Sequence, residues 1–283
     1  MKKRLLALLM ATTMLMTVTA CGNAENPAKG SGDIEVKENT ETTSNTDATS
    51  DSQYVTGKGT LVVGITDFEP MDYKDESGNW VGFDADLATE FAKSMGVDVK
   101  FIEIDWDNKI MELNGKTVDC IWNGMTLTEE VTSSMDCSNA YCNNAQVVVV
   151  DVSVADNYKS VDSLKELTFA VEAGSAGEEQ AVAYELTYVP VESQANALME
   201  VAAGTSSAAI IDSLMAAAMV GDGTSYANLT YTVGLNDEKY GVGFRQGSDL
   251  PGMLNDFLKK SYEDGTMQAI AEKYGVQAAL IEQ

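Results

Sequence analysis

Histidine is absent from all 283 residues. That removes imidazole acid–base chemistry, His-dependent triads and histidine zinc sites together. Cysteine is scarce: the four residues Cys21, Cys120, Cys137 and Cys142 match no common zinc spacing. Neither a metal nor a cofactor is expected. Basic residues are also few, with 18 Lys and Arg against 44 Asp and Glu and a formal net charge of −26. Nucleic acid is therefore a poor partner, because phosphate binding needs clustered Lys and Arg. No apolar run has the about 20 residues of a membrane-spanning helix.

What is present begins at the amino terminus. Met1-Lys2-Lys3-Arg4 precedes an apolar stretch from Leu5 to Met16, and small residues follow up to Ala20. A basic start, a short apolar segment and small residues before a cut site describe an export signal, assigned to residues 1–20. The tetrad Val18-Thr19-Ala20-Cys21 resembles a bacterial lipobox, in which Cys21 becomes the lipidated first residue. Residues 21–56 are Thr, Ser, Asn, Asp, Glu and Gly with almost nothing apolar, which predicts a disordered linker. As a flexible coil it would reach roughly 30–35 Å, the scale of a leash between an anchor and a folded body.

The rest of the chain alternates strand and helix patterns. Thr60 to Ile65 is a short apolar run read as a buried strand, and Leu87, Ala88, Phe91, Ala92 and Met95 share one helical face. Further strands are expected near Val97 to Ile104 and Thr117 to Trp122, with a helix from Asp107 to Leu113 between them. The order repeats as strands at Leu167 to Val171, Tyr188 to Val191 and Ala208 to Ile211, with helices between and after them. Such βαβ order argues for mainly parallel sheets covered by helices. The apolar run Gln146 to Val152 and the segment Leu229 to Phe244 are the candidate crossings between two bodies. The fold class is thus α/β, with two discontinuous lobes joined by two hinge strands. Lobe 1 is assigned to residues 57–148 and 240–283, lobe 2 to residues 149–239. Ligands of open α/β sheets sit beyond the carboxyl ends of the strands, so two facing sheets make a cleft.

Several segments together resemble the extracellular solute-binding proteins of ABC importers for polar amino acids. They include Leu61-Val62-Val63-Gly64 with Asp67, Gly82-Phe83-Asp84-Ala85-Asp86-Leu87-Ala88 and Asp105-Trp106-Asp107. Asn123-Gly124-Met125-Thr126-Leu127-Thr128, Ala173-Gly174-Ser175, Ile210-Ile211-Asp212 and Tyr240-Gly241-Val242-Gly243-Phe244 follow in the same order. The resemblance implies a type II periplasmic-binding-protein fold that closes on its ligand. It also implies a monomer outside the cell membrane or in the periplasm, serving a permease. By the same resemblance, Phe68 and Trp106 would border the ligand side chain, and Gly124 and Thr126 would bond the ligand backbone; Asp67 is a further acid suited to an ammonium group. Ser175 would present an amide to a carboxylate, and Asp212 would receive an ammonium group.

One position departs from that pattern. Where the family usually carries a carboxylate-clamping arginine, this sequence has Val131, which cannot form the bidentate pair. Lys109 or backbone amides could replace it, or the ligand could be recognised mainly as a cation. Trp122 and Tyr141 are weaker candidates for the wall, and Glu172 reads more simply as a solvated acid. Cys137 and Cys142 could pair or stay free. A tethered sensor, or an enzyme resembling the dehydratases that share this fold, are the alternative functions.

Overall fold

The computed structural model describes residues 50–283. The assigned leader, Cys21 and most of the expected linker lie outside the described residues. Residues 51–56, expected as linker, are instead the start of the helix Asp51–Lys58. Ser50 caps it by accepting from the Gln53 amide, and Gly59 closes it in the left-handed region. Val55 is fully buried against the first sheet, and Asp51 pairs with the nearly buried Arg245 at 3.0 Å. Tyr54 and Val55, adjacent and alone among eight residues, are too faint a period to announce a helix, so its composition reads as linker.

The first sheet runs in the order Asp98–Glu103, Thr60–Ile65, Cys120–Ile121, Gly243–Phe244 and Asp136–Cys137. Its first three strands are parallel, while Gly243–Phe244, returning from the other lobe, is antiparallel to both neighbours. Side chains alternate across the sheet. Leu61, Val63 and Ile65 pack with Leu87 and Phe91 of the helix Phe83–Ser94 and with Leu254 of Leu250–Glu263. Val62 and Ile102 face the opposite layer, with Trp106, Leu113, Ile121 and Val131.

The second sheet runs Thr187–Val191, Thr168–Glu172, Ala208–Asp212, Gln146–Asp151 and Leu229–Gly234. Here the first three strands are parallel, and Gln146–Asp151 is antiparallel to both of its neighbours. Val147 and Val149 point to one core and Val148 and Val150 to another, so this strand is covered on both faces. That double burial explains the unbroken apolar run. It also corrects its reading as the crossing between lobes: an apolar run marks a buried strand without saying which sheet owns it.

The crossing is the two-stranded antiparallel ribbon Cys142–Asn144 with Glu238–Tyr240, which pairs Asn144 with Glu238 and Cys142 with Tyr240. The chain therefore passes between the sheets at residues 142–144, ahead of the division placed at residue 148. Among the described residues Cys120, Cys137 and Cys142 are unpaired, with Cys142 buried in the ribbon.

Candidate functional site

The site is assembled where strands end. Glu172 and Asp212 are the last residues of the strands Thr168–Glu172 and Ala208–Asp212, which lie side by side in the second sheet. Each strand turns into a helix, Ala176–Ala183 and Ser213–Met219 respectively. Both carboxyls consequently leave the sheet at its carboxyl edge, toward lobe 1. From lobe 1, Trp106 opens a short turn of helix beyond the strand Asp98–Glu103, and Lys109 follows one turn later. Gly124 and Thr126 follow the strand Cys120–Ile121, and Val131 lies in the helix Glu129–Ser134.

These residues line one narrow cavity of about 20 Å³. The lobes meet over it. The Lys109 ammonium donates to the Gly174 carbonyl of lobe 2 at 2.8 Å, and a Cβ on Gly174 would lie 2.8 Å from Asp107 Cα. Seating a solute thus requires the lobes or the lining side chains to move apart, and the ribbon is the joint that allows it.

Asp212 is held from every side. Its Oδ1 accepts from Gln146 Nε2 at 3.0 Å, from the Tyr240 hydroxyl at 2.7 Å and from Asn144 Nδ2. Its Oδ2 accepts from Gln194 Nε2, while its backbone amide donates to Gln194 Oε1 at 2.8 Å. Glu238 of the ribbon shares two of these donors: its Oε1 accepts from Asn144 at 2.6 Å and Gln146 at 2.8 Å. Burial, then the neighbouring Glu238 charge, pushes the Asp212 carboxyl well above the usual carboxylate range. Glu172 differs. It is 3% exposed, and its Oε1 has no hydrogen-bond partner. Burial raises it to about 8, with the Lys109 charge working the other way. Lys109 is itself lowered by burial, against the pull of Glu130 and Glu172.

The structure distributes the expected site residues unevenly. Trp106, Gly124, Thr126, Ser175 and Asp212 line the cavity together. Gly124 adopts φ 53°, where an added Cβ would collide with the Phe68 ring, so glycine is required there. Its amide already donates to Asp84 Oδ2 at 2.6 Å. The Thr126 hydroxyl donates to Glu238 at 2.9 Å, and Ser175 caps the helix that follows it. Val131 is 2% exposed and forms part of the wall.

Two expectations are corrected. Phe68 is 2% exposed and lies in the lobe 1 core, edge-on to Tyr240 at 6.3 Å and beneath the Gly124 turn rather than in the cavity. Asp67 is exposed on a separate groove with Glu103, Glu192 and Tyr226. The two sit one residue apart on a turn, where opposite side-chain directions carry one inward and the other to solvent. Trp122 and Tyr141 are likewise core residues. Glu172, read as solvated, is a buried cavity acid, and Gln194 was not anticipated at all. A signal for Glu172 existed in its position: like Asp212 it ends an apolar strand and precedes a helix.

Two α/β lobes on a two-stranded joint, enclosing buried carboxylates and an aromatic wall, define a solute-binding protein of the periplasmic-binding-protein type II class. Residues 61–277 match the family of bacterial extracellular solute-binding proteins, family 3, and the chain belongs to that family. The arginine-binding extracellular protein ArtP of Bacillus subtilis (strain 168) is 27% identical, over 96% of this chain and 98% of its own. A mutant of ArgBP from T. maritima has a TM-score of 0.74 at 30% identity, covering 80% of this chain and 99% of that one. An ABC uptake transporter substrate binding protein from Streptococcus pneumoniae with bound histidine gives 0.71 at 28%, covering 80% and 96%. Among the described residues no helix is long and apolar enough to cross a membrane.

Proposed function

We propose that the chain captures an amino acid or related amine-bearing solute between its lobes and delivers it to the permease of an ABC importer. The observation that carries this reading is the pair of buried carboxylates, Glu172 and Asp212, on one wall of a cavity whose other wall holds Trp106. Carboxylates removed from water attract a cationic group far more strongly than exposed ones, and an indole face adds cation–π attraction. Gly124, Thr126 and Ser175 would shape the walls around the solute. The relatives are named for the amino acids they bind, which supports a binding protein rather than an enzyme.

Delivery requires the protein to stay near its permease. Acylation of Cys21 would hold it at the outer face of the membrane, and each buried methylene of the acyl chain would contribute about 0.8 kcal/mol. Radiolabelled fatty acid should be incorporated by the intact chain and not by a Cys21→Ser variant; equal labelling of both removes the anchor.

The binding claim is tested by thermal shift and calorimetry against amino acids, diamines, guanidines and betaines. A true ligand at 100 times its Kd stabilises the fold by about 2.7 kcal/mol, raising Tm by roughly 5–10 °C. Asp212→Ala should weaken that ligand by about 100-fold, since it removes a buried carboxylate and strands four donors. A panel in which no amine-bearing solute moves Tm would sink the reading.

A further inference from the structure

Resting on that reading of the cleft as an amine site, we infer that it selects an organic cation lacking a free carboxylate beside its ammonium group. The class comprises diamines, guanidino-amines and amino-acid amides, ahead of free α-amino acids.

The walls have little left to offer an anion. A bound carboxylate needs hydrogen-bond donors, and most N–H donors here are engaged, which leaves chiefly the Ser175 and Thr128 hydroxyl hydrogens. The Gly124 amide is held by Asp84, the Ser175 amide by the Glu172 carbonyl at 3.2 Å, and the Gly174 amide by Glu178 at 2.6 Å. The Val131 amide is taken by the Thr128 hydroxyl at 3.3 Å, and the Val131 side chain offers only methyl groups. Gln194 Nε2 is held by Asp212.

Charge points the same way. Among the described residues lining the cavity, Lys109 is the one cation, against the acids Glu130, Glu172, Glu179 and Asp212. Its ammonium already serves two carbonyls, Gly174 at 2.8 Å and Trp106 at 3.4 Å. A carboxylate entering here would meet the acids Glu130 and Glu179 beside a single cation, whereas an entering cation favours the ionised forms of Glu172 and Asp212. An ammonium or guanidinium group finds the reverse. Glu172 Oε1 is buried, lines the cavity and lacks any partner, and Asp212 Oδ2 carries a single donor where it has room for two. An unpaired buried acceptor is costly to maintain, and among the described residues lining the cavity Glu172 Oε1 is the buried acceptor that a donor supplied by the solute would satisfy.

Matched pairs test this, using the intact exported chain in calorimetry: arginine against agmatine, and lysine against cadaverine. Within each pair only the carboxylate differs. The inference expects the decarboxylated member of at least one pair to bind at least tenfold tighter than its amino acid. It also expects Glu172→Gln to weaken that amine at least tenfold, and Lys109→Met to change both members of a pair by the same factor, through the lost lobe contact. Val131→Arg, which adds a cation to the wall, should shift preference toward the amino acid. Amino acids binding as tightly as their amines, or tighter, would overturn the inference and leave amine capture intact. So would a loss in Lys109→Met that falls on the amino acid and spares its amine, because the lysine would then be the carboxylate clamp. Failure of every amine and amino acid to bind would overturn this inference and the functional reading together.

Discussion

Two pairs of buried acids invite comparison: Asp72 with Asp84 in lobe 1, and Glu172 with Asp212 in lobe 2. All four are held above their usual carboxylate range, chiefly by burial. The lobe 1 pair does not line the cleft cavity. Asp84 accepts from the Gly124 amide at 2.6 Å and the Tyr141 hydroxyl at 2.7 Å, and so fixes the turn that forms part of the cleft wall. The lobe 2 pair lines the cavity itself, and Glu172 keeps an unpartnered oxygen there. Raised acidity constants alone therefore do not separate a brace from a binding group; the space in front of the carboxyl does.

The largest effect that could break this contrast is on stability. Asp84→Ala leaves a buried amide and a buried hydroxyl without their acceptor, which should cost about 3 kcal/mol and lower Tm by roughly 6–12 °C. Glu172→Gln keeps the side-chain volume and abandons no donor, so its cost should stay within about 1 kcal/mol. Chemical denaturation of both variants measures the difference. Equal losses would mean that Glu172 is as structural as Asp84.

The same contrast marks what could be read before the structure. The order of strands and helices was legible because apolar runs such as Val147 to Val150 must be buried wherever they fall. Which sheet they join was not, since that depends on pairing between segments far apart in sequence. Asp212 was legible through its register at a strand end. Glu172 stood in an equivalent register, but an acid in isolation reads as solvated, and only the facing lobe makes it buried. Phe68 shows the opposite error: an aromatic near the cleft became core because Gly124 leaves room for its ring. The helix Asp51–Lys58 was hidden because long-range contacts hold it, through Val55 and the Asp51–Arg245 pair.

A pH series sharpens the comparison with a signal spread over several pH units. In the folded protein Asp84 titrates near 7 and Glu172 near 8, while in the unfolded chain both release their protons near 4. Between those values the folded state binds more protons than the unfolded one, so stability must fall as pH rises from about 4.5 to about 8. Each group can contribute at most about 1.4 kcal/mol per pH unit across its window. Carboxyls held low, such as Asp75 and Asp264, act below that range and do not oppose the trend. Tm measured without added solute should therefore decline from pH 5 to pH 8. A saturating cationic solute should flatten the part due to Glu172 and leave the part due to Asp84, because only the former meets it. A flat profile without solute would show that neither pair resists ionisation.

The smallest effect concerns Thr126, which stands on the cleft wall yet belongs to the joint. Its hydroxyl donates to Glu238 Oε1 at 2.9 Å, and Glu238 also accepts from Asn144 and Gln146, the two amides that hold Asp212. Thr126→Val removes one donor of several from a partly exposed carboxylate, so stability should drop by about 1 kcal/mol or less. If the hydroxyl serves the ribbon and not the solute, affinity should change by less than about threefold, equivalent to roughly 0.7 kcal/mol. A loss above tenfold, with Tm unchanged, would instead put Thr126 in direct contact with the solute. The lobe 1 wall would then supply recognition chemistry as well as shape, and the division between bracing and binding would no longer follow the two lobes.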